Sequence, residues 1–175
     1  MKSTTSGILN PINECYIDIS GQKIILNNLP DISDTKSAVY NQEGIIGRSF
    51  PLYTYSHSAD RTINMQLHFF VVAPSDAEKN LRYLKYIQSA VYPRDGAESS
   101  TPYQPPVICK MKCNKLLADQ ELCVVLQSYS VKFPTEVAWD EKTFCPFRFD
   151  VDTNWLVVYT SSNLPDNTRI IQSGR

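Results

Sequence analysis

Between Thr62 and Val72 apolar and polar residues alternate. Ile63, Met65, Leu67, Phe69 and Val71 fall on one face. Asn64, Gln66 and His68 fall on the other, which turns apolar only at Phe70 and Val72. A period of two is that of a strand with one face in a core. The segment Phe147–Tyr159 follows the same rule. Phe147, Phe149, Val151, Trp155, Val157 and Tyr159 point one way, and Arg148, Asp150, Asp152 and Asn154 the other. Glu121–Phe133 is apolar on both faces in its first half, which predicts a central strand. Shorter strands are predicted at Cys15–Ser20, Gln22–Asn27 and Val107–Cys113, with Gly21 marking a tight hairpin turn between the first two.

Only Ser75–Val91 has a helical period. Ala77, Leu81, Leu84, Ile87 and Val91 form one stripe, flanked by Tyr83 and Tyr86, and Pro93 ends it. Ser75 and Glu78 have the spacing of a capping box, and Asp76 suits the positive end of the helix dipole. The remaining segments read as connections. These are Arg94–Pro106 with its prolines, a turn at Asn114–Gln120, and a loop at Pro134–Pro146 that contains Trp139. Residues 1–13 read as an N-terminal arm, 28–62 as a long loop or arm, and 160–175 as a polar tail. The sum is one β-dominated α+β domain spanning 1–175. About six to seven strands form a β-barrel or sandwich, flanked by one helix at about 75–91.

Within that frame one stretch stands out. Gly47–Val72 is an aromatic, polar loop with Arg48 and Arg61 near its ends that runs straight into the long alternating strand Thr62–Val72. The segment before it, Asn28–Gly47, is too long for an ordinary connection, and long loops in compact domains are generally functional or disordered when free. Arg and Tyr are common interface anchors. The stretch therefore predicts contact with a neighbour through Arg48, Phe50, Tyr53, Tyr55 and Arg61. Replacing either Arg48 or Arg61 by Ala is expected to harm assembly more than folding.

Composition changes this picture little. With 17 basic and 18 acidic residues, the chain lacks the basic excess of a general nucleic-acid binder. Near-neutrality also does little to keep copies apart. No apolar run approaches the roughly 20 residues of a membrane span. The opening MKSTTSGILNPINE has no apolar core of a secretory signal, so folding in a cytosol is expected. The five cysteines are odd in number and irregular in spacing, and read as buried free thiols.

Candidate chemistry is sparse. Ser56, His57, Ser58 and Asp60 offer triad residue types, but a cluster inside one loop does not give triad geometry. Cys109 and Cys113 share a strand face without two further metal ligands nearby in sequence. Asp150 and Asp152, with Asp140 and Glu141, lack the further oxygen ligands of a calcium site. No glycine pattern matches a phosphate loop. No catalytic residue, cofactor or metal is assigned, and the chain is not expected to be an enzyme.

The order of these segments is itself informative. It runs GRSFPLYTYSHSADRTINMQLHFFVV, PSDAEKNLRYLKYIQSAVYP, PPVICKMKC, LCVVLQSYSVKFP and CPFRFDVDTNWLVVY. In that order and spacing the chain resembles the tail-tube fold of bacteriophage baseplate proteins over Cys15–Tyr159. One departure is Asn114, where that pattern has Gly. The resemblance implies a structural subunit of a ring, with six copies expected. The ring would belong to a phage baseplate of the tube-initiator or hub-to-tube adaptor kind, and its partners would be the hub and tail-tube proteins. Arg148, Asp150, Asp152 and Asn154 would then face a channel through which DNA passes without specific binding. The location implied is the virion, after synthesis in the host cytoplasm, with no membrane. The alternative is a monomeric β-barrel that binds a small ligand.

Overall fold

A computed structural model describes residues 15–26, 28–95, 103–118, 120–141, 144–159 and 164. The expected N-terminal arm and C-terminal tail lie outside them, residue 164 aside. The strands are β1 (Cys15–Ile19), β2 (Gln22–Ile25), β3 (Asp31–Thr35), β4 (Ala38–Glu43), β5 (Leu52–Ser58), β6 (Thr62–Phe70), β7 (Arg94–Asp95), β8 (Tyr103–Gln104), β9 (Cys109–Cys113), β10 (Leu122–Lys132) and β11 (Arg148–Val157). The helices are α1 (Pro74–Ser89) and the single turn α2 (Asn114–Leu117).

Seven strands form one antiparallel sheet in the order β2-β1-β9-β10-β11-β6-β3. The β-dominated architecture with one long helix is the one expected, and β10 is indeed its middle strand, but among the described residues the strands form one seven-stranded sheet and two separate two-stranded ribbons, not the expected barrel or sandwich. The sheet is open, with β2 and β3 at its two edges. The β1–β2 turn is short because Ser20 and Gly21 both adopt positive φ, 54° and 84°. Such a turn follows the twist of its strands. Asp18 Oδ1 accepts the Gly21 amide at 2.8 Å and holds the turn closed.

The core lies on one face of this sheet. Ile63, Met65, Leu67 and Phe69 of β6 are buried there with Phe149, Val151, Trp155 and Val157 of β11. Facing residues of the two strands pair in register from Leu156↔Thr62 to Arg148↔Phe70. On β10 the register shifts between Leu126 and Ser128. That irregularity places Val124 and Leu126, and beyond it Tyr129 and Val131, against the core. Helix α1 covers this face with Leu84 and Ile87, joined by its C-cap residue Ala90. The only buried polar side chains are Asn80, Asp150 and Thr153 among the described residues. Thr153 Oγ1 donates to the Met65 carbonyl at 2.9 Å and accepts Trp155 Nε1–H at 2.8 Å, so the indole is buried with its donor satisfied.

Several local expectations need correction. The segment 28–62 is not a loop. It contains edge strand β3 and the hairpin β4–β5. Strand β6 stops at Phe70, after which the Val71 amide bonds the Phe147 carbonyl. The helix begins before Ser75, with Ala73 as N-cap and Pro74 in the first turn. Pro suits that position because its missing N–H needs no partner there. Asp76, not Glu78, reaches back, accepting the Ala73 amide at 2.9 Å. Asn80 extends its Nδ2 to the Phe70 carbonyl at 2.9 Å and ties the helix to the end of β6. The proline-rich connection carries the short β7–β8 ladder. The turn at Asn114 is helical, and Asn114 itself sits at φ 46°, a conformation Asn tolerates nearly as Gly does. Cys15 and Cys113 are not free. They face each other across β1 and β9, 98 residues apart in sequence, and are joined by a disulfide. Irregular spacing hides such a pair, because only the β1–β9 pairing brings it together.

The Thr153 relay yields a prediction. Thr153→Val keeps the shape but strands the Trp155 N–H and weakens the tie to Met65. Urea unfolding should show a loss of about 1–3 kcal/mol. Thr153→Ser should lose clearly less.

Candidate assembly interface

Strands β4 and β5 form a ribbon that stands apart from the main sheet. They pair from Ala38↔Ser58 to Glu43↔Leu52, with an irregularity between Val39 and Tyr40. Residues 44–51 make the tip, where Gly47 turns at φ 89° and the Arg48 amide bonds the Ile45 carbonyl. Every residue of both strands is exposed, so neither face of the ribbon rests on the body. The register puts Tyr40, Tyr53 and Tyr55 on one face, and Tyr40 meets Tyr55 edge to face at 5.8 Å. Phe50 and Ile46 stand out at the tip. A two-stranded ribbon alone is marginally stable in water. Exposed aromatic surface of this kind is the sort that protein interfaces use.

Four of the five expected interface residues, Arg48, Phe50, Tyr53 and Tyr55, lie on this arm and are exposed. Arg61 lies elsewhere. It sits at the arm's root, and its side chain turns into its own chain. Nε donates to Asp34 Oδ1 at 2.9 Å, and Nη2 reaches both Asp34 and the Leu117 carbonyl. Asp34 precedes the arm and Arg61 follows it, so their ion pair closes the base of the ribbon. The Ala59 amide adds a 2.8 Å bond to the Ser37 carbonyl, and Lys36 lies 5.7 Å over the Tyr159 ring. The grouping of Arg61 with Arg48 was suggested by proximity in sequence. Only the pairing of β3 with β6 shows that Arg61 faces Asp34's side of the body.

The face of the sheet away from the core carries the other expected surface. Arg148, Asp150, Asp152 and Asn154 do share this face. They extend across neighbouring strands in rows: Ser130, Asp152, Gln66 and Asp31; then Ser128, Asn154, Asn64 and Ser33. A shallow cavity of about 460 Å³ lies between these rows. The Asn154 Oδ1 atom is buried there without a hydrogen-bond partner. The charges on this face are largely paired. Asp152 meets Lys132 at 2.7 Å, and Asp150 meets His68 Nδ1 at 2.7 Å and Arg148 at 3.1 Å. Burial alone would raise the Asp150 pKa, but hydrogen bonds and charge from His68 and Arg148 outweigh it, and the net shift is downward. The face is thus polar and internally neutralised. Asp31 is the exposed carboxylate of this face, with its Oδ2 3.7 Å from His68 Nε2.

Chemistry of the remaining candidates is limited by their surroundings. His57 Nδ1 meets Ser56 at 3.1 Å on the exposed arm. Burial pushes the Cys109 thiol up to about 11, which leaves it a poor nucleophile. Among the described residues no three His, Cys, Asp or Glu side chains gather as a metal would need. No described helix is long and apolar enough to cross a membrane.

Three outcomes are expected. Arg61→Ala should lower stability by about 1–3 kcal/mol in chemical denaturation, since it strips partners from Asp34 and the Leu117 carbonyl. Tyr53→Ser on the arm should stay within about 0.5 kcal/mol of the parent. The depressed pKa of Asp150 contributes stability that is present above the usual carboxylate value, about 3.9, and is lost as pH falls through the lower folded value. Asp150→Asn should therefore flatten the acid limb of a stability–pH profile below about pH 4. Neither a protein-family model nor a curated protein matches the chain.

Proposed function

We propose that this chain is a structural subunit of a bacteriophage baseplate, a tail-tube-like protein that assembles into a ring, six copies being expected, and joins the hub to the tail tube. The observation that carries this reading is the β4–β5 arm, which presents aromatic residues on a ribbon with both faces bare. Such a ribbon is useful once another subunit covers it. The open sheet supports the same reading, because its edge strands β2 and β3 are available for pairing with neighbours. The order of segments that resembles tail-tube proteins supplies the particular class of assembly.

In such a ring the polar face of the sheet would line the channel. Its side chains are amides, hydroxyls and carboxylates, and most of its carboxylates are paired with cations of the same chain. A wall of that kind offers phosphate neither a cationic patch to bind nor a strong repulsive field. DNA would slide past it. The protein's work is assembly, without catalysis or cofactor. Its place is the virion, after synthesis in the host cytoplasm. The cavity among Asn64, Gln66, Asp152 and Asn154 favours the alternative, a monomeric module that binds a small ligand.

Light scattering after size exclusion, with negative-stain imaging, separates the two. The intact chain should form rings or larger oligomers, alone or on addition of a hub protein. A variant with residues 40–56 replaced by Asn-Gly should stay monomeric, with an unchanged unfolding transition. An intact chain that remains monomeric with and without the hub protein would overturn the assembly reading.

A further inference from the structure

The pairing of β6 with β11 gives the sheet two distinct ends. The arm leaves at the end where Arg61 and Thr62 lie beside Leu156 and Val157. Strand β6 has nine residues, so its other end is about 27 Å away at the usual rise. At that far end a second set of large apolar side chains is exposed: Phe70, Val72, Phe133, Trp139, Phe144 and Phe147. Val72 and Phe144 are the barest, at 80% and 79% exposure.

This surface is built on ordered structure. The connection between β10 and β11 folds back on itself, with a bridge between Trp139 and Pro146 and a 3.0 Å bond from the Asp140 amide to the Cys145 carbonyl. Phe133 lies 6.3 Å from Trp139 and 5.9 Å from the buried Phe149, which roots the exposed aromatics in the core. Arg148 covers the Phe70 ring at 5.3 Å while bound to Asp150, so its charge is already engaged. The connection itself is acidic. Between Pro134 and Pro146 the sequence has Glu136, Asp140 and Glu141 against Lys142 alone. The arm's tip, residues 44–51, has Arg48 as its single charge, set among Ile45, Ile46 and Phe50.

We infer that this aromatic end receives the arm of a second copy of the chain, head to tail. The inference rests on the assembly role proposed for the arm and names the surface the arm meets. Two observations select a second copy as the occupant. The two apolar surfaces lie at opposite ends of one sheet, so a copy cannot satisfy itself but can satisfy the next. The charges also match: a cationic tip meets an acidic connection, and an aliphatic and aromatic ribbon meets Trp139 and Phe144. A contact between two different patches is heterologous and propagates from copy to copy, closing into a ring when the rotation allows.

Mixing two crippled copies tests this. One copy has residues 40–56 replaced by Asn-Gly; the other carries Trp139→Ser and Phe144→Asp. Thermal unfolding confirms that each is folded. Should the double variant fail to fold, Glu136→Lys with Glu141→Lys replaces it, since both positions are exposed. By light scattering each copy alone should be monomeric, while the mixture should give a one-to-one complex, each arm finding one intact receiving end. For the charge variant, self-association should weaken at least tenfold and recover with Arg48→Glu in the same chain. If the end-patch variant self-associates like the intact chain, the arm meets another surface and this inference falls while the assembly reading stands. If neither the intact chain nor the mixture associates, with or without a hub protein, both fall.

Discussion

The long antiparallel pairing of β6 with β11 holds the parts of this molecule in relation to one another. Its register, unbroken from Leu156↔Thr62 to Arg148↔Phe70, places every second residue on the core face and the rest on the polar face. From one face grows the core, with Trp155 and Phe149 at its centre and α1 closing it. From the other grows the field of amides and paired charges around Asp152 and Asn154. A slip of one residue would invert both faces at once, turning Asp150, Asp152 and Asn154 to the core face in place of Val151, Thr153 and Trp155. The same pairing sets the two ends of the sheet, and so the separation of the arm from the exposed aromatic end.

The arm obeys a different economy. A main-sheet strand is stabilised by burying its apolar side, whereas β4 and β5 bury neither side and rely on their mutual ladder and the Tyr40–Tyr55 contact. What fixes them is the base, where Asp34 and Arg61 flank the ribbon and hold each other while Arg61 also grips the Leu117 carbonyl. Anchoring at the root presets the direction in which the ribbon leaves the body. In the assembly proposed for it, preorganisation of this kind would lower the ordering cost of covering the ribbon. The aromatic faces then supply contact area with few rotatable bonds to freeze.

Much of the fold was legible in the sequence for a plain reason. Strands with one buried face write a period of two, and Thr62–Val72 and Phe147–Tyr159 write it clearly. The helix writes its own period at Leu84 and Ile87. The arm's strands were missed because a ribbon with two exposed faces has no apolar alternation to read; Tyr40, Tyr53 and Tyr55 share a face only once the β4–β5 register is known. The Cys15–Cys113 disulfide, the Arg61–Asp34 pair and the Thr153 relay were hidden for a related reason. Each depends on pairing between segments distant in sequence, which local spacing does not encode. Of the expected site, Arg48, Phe50, Tyr53 and Tyr55 are legible as exposed through the Arg and aromatic residues gathered in one long segment. Asp150 was expected to be a solvated wall residue, yet its neighbours His68 and Arg148 bury and neutralise it.

The central claim is that the β4–β5 arm exists to be covered by another protein chain of the assembly. Amide hydrogen exchange on the intact chain, followed residue by residue across a hundredfold range of protein concentration, tests it most directly. Protection of the arm amides in residues 38–58 should rise with concentration, or on addition of a hub protein, while β6, β10 and β11 stay equally protected throughout. Arm protection that stays the same at every concentration and in the presence of the hub protein would contradict the account.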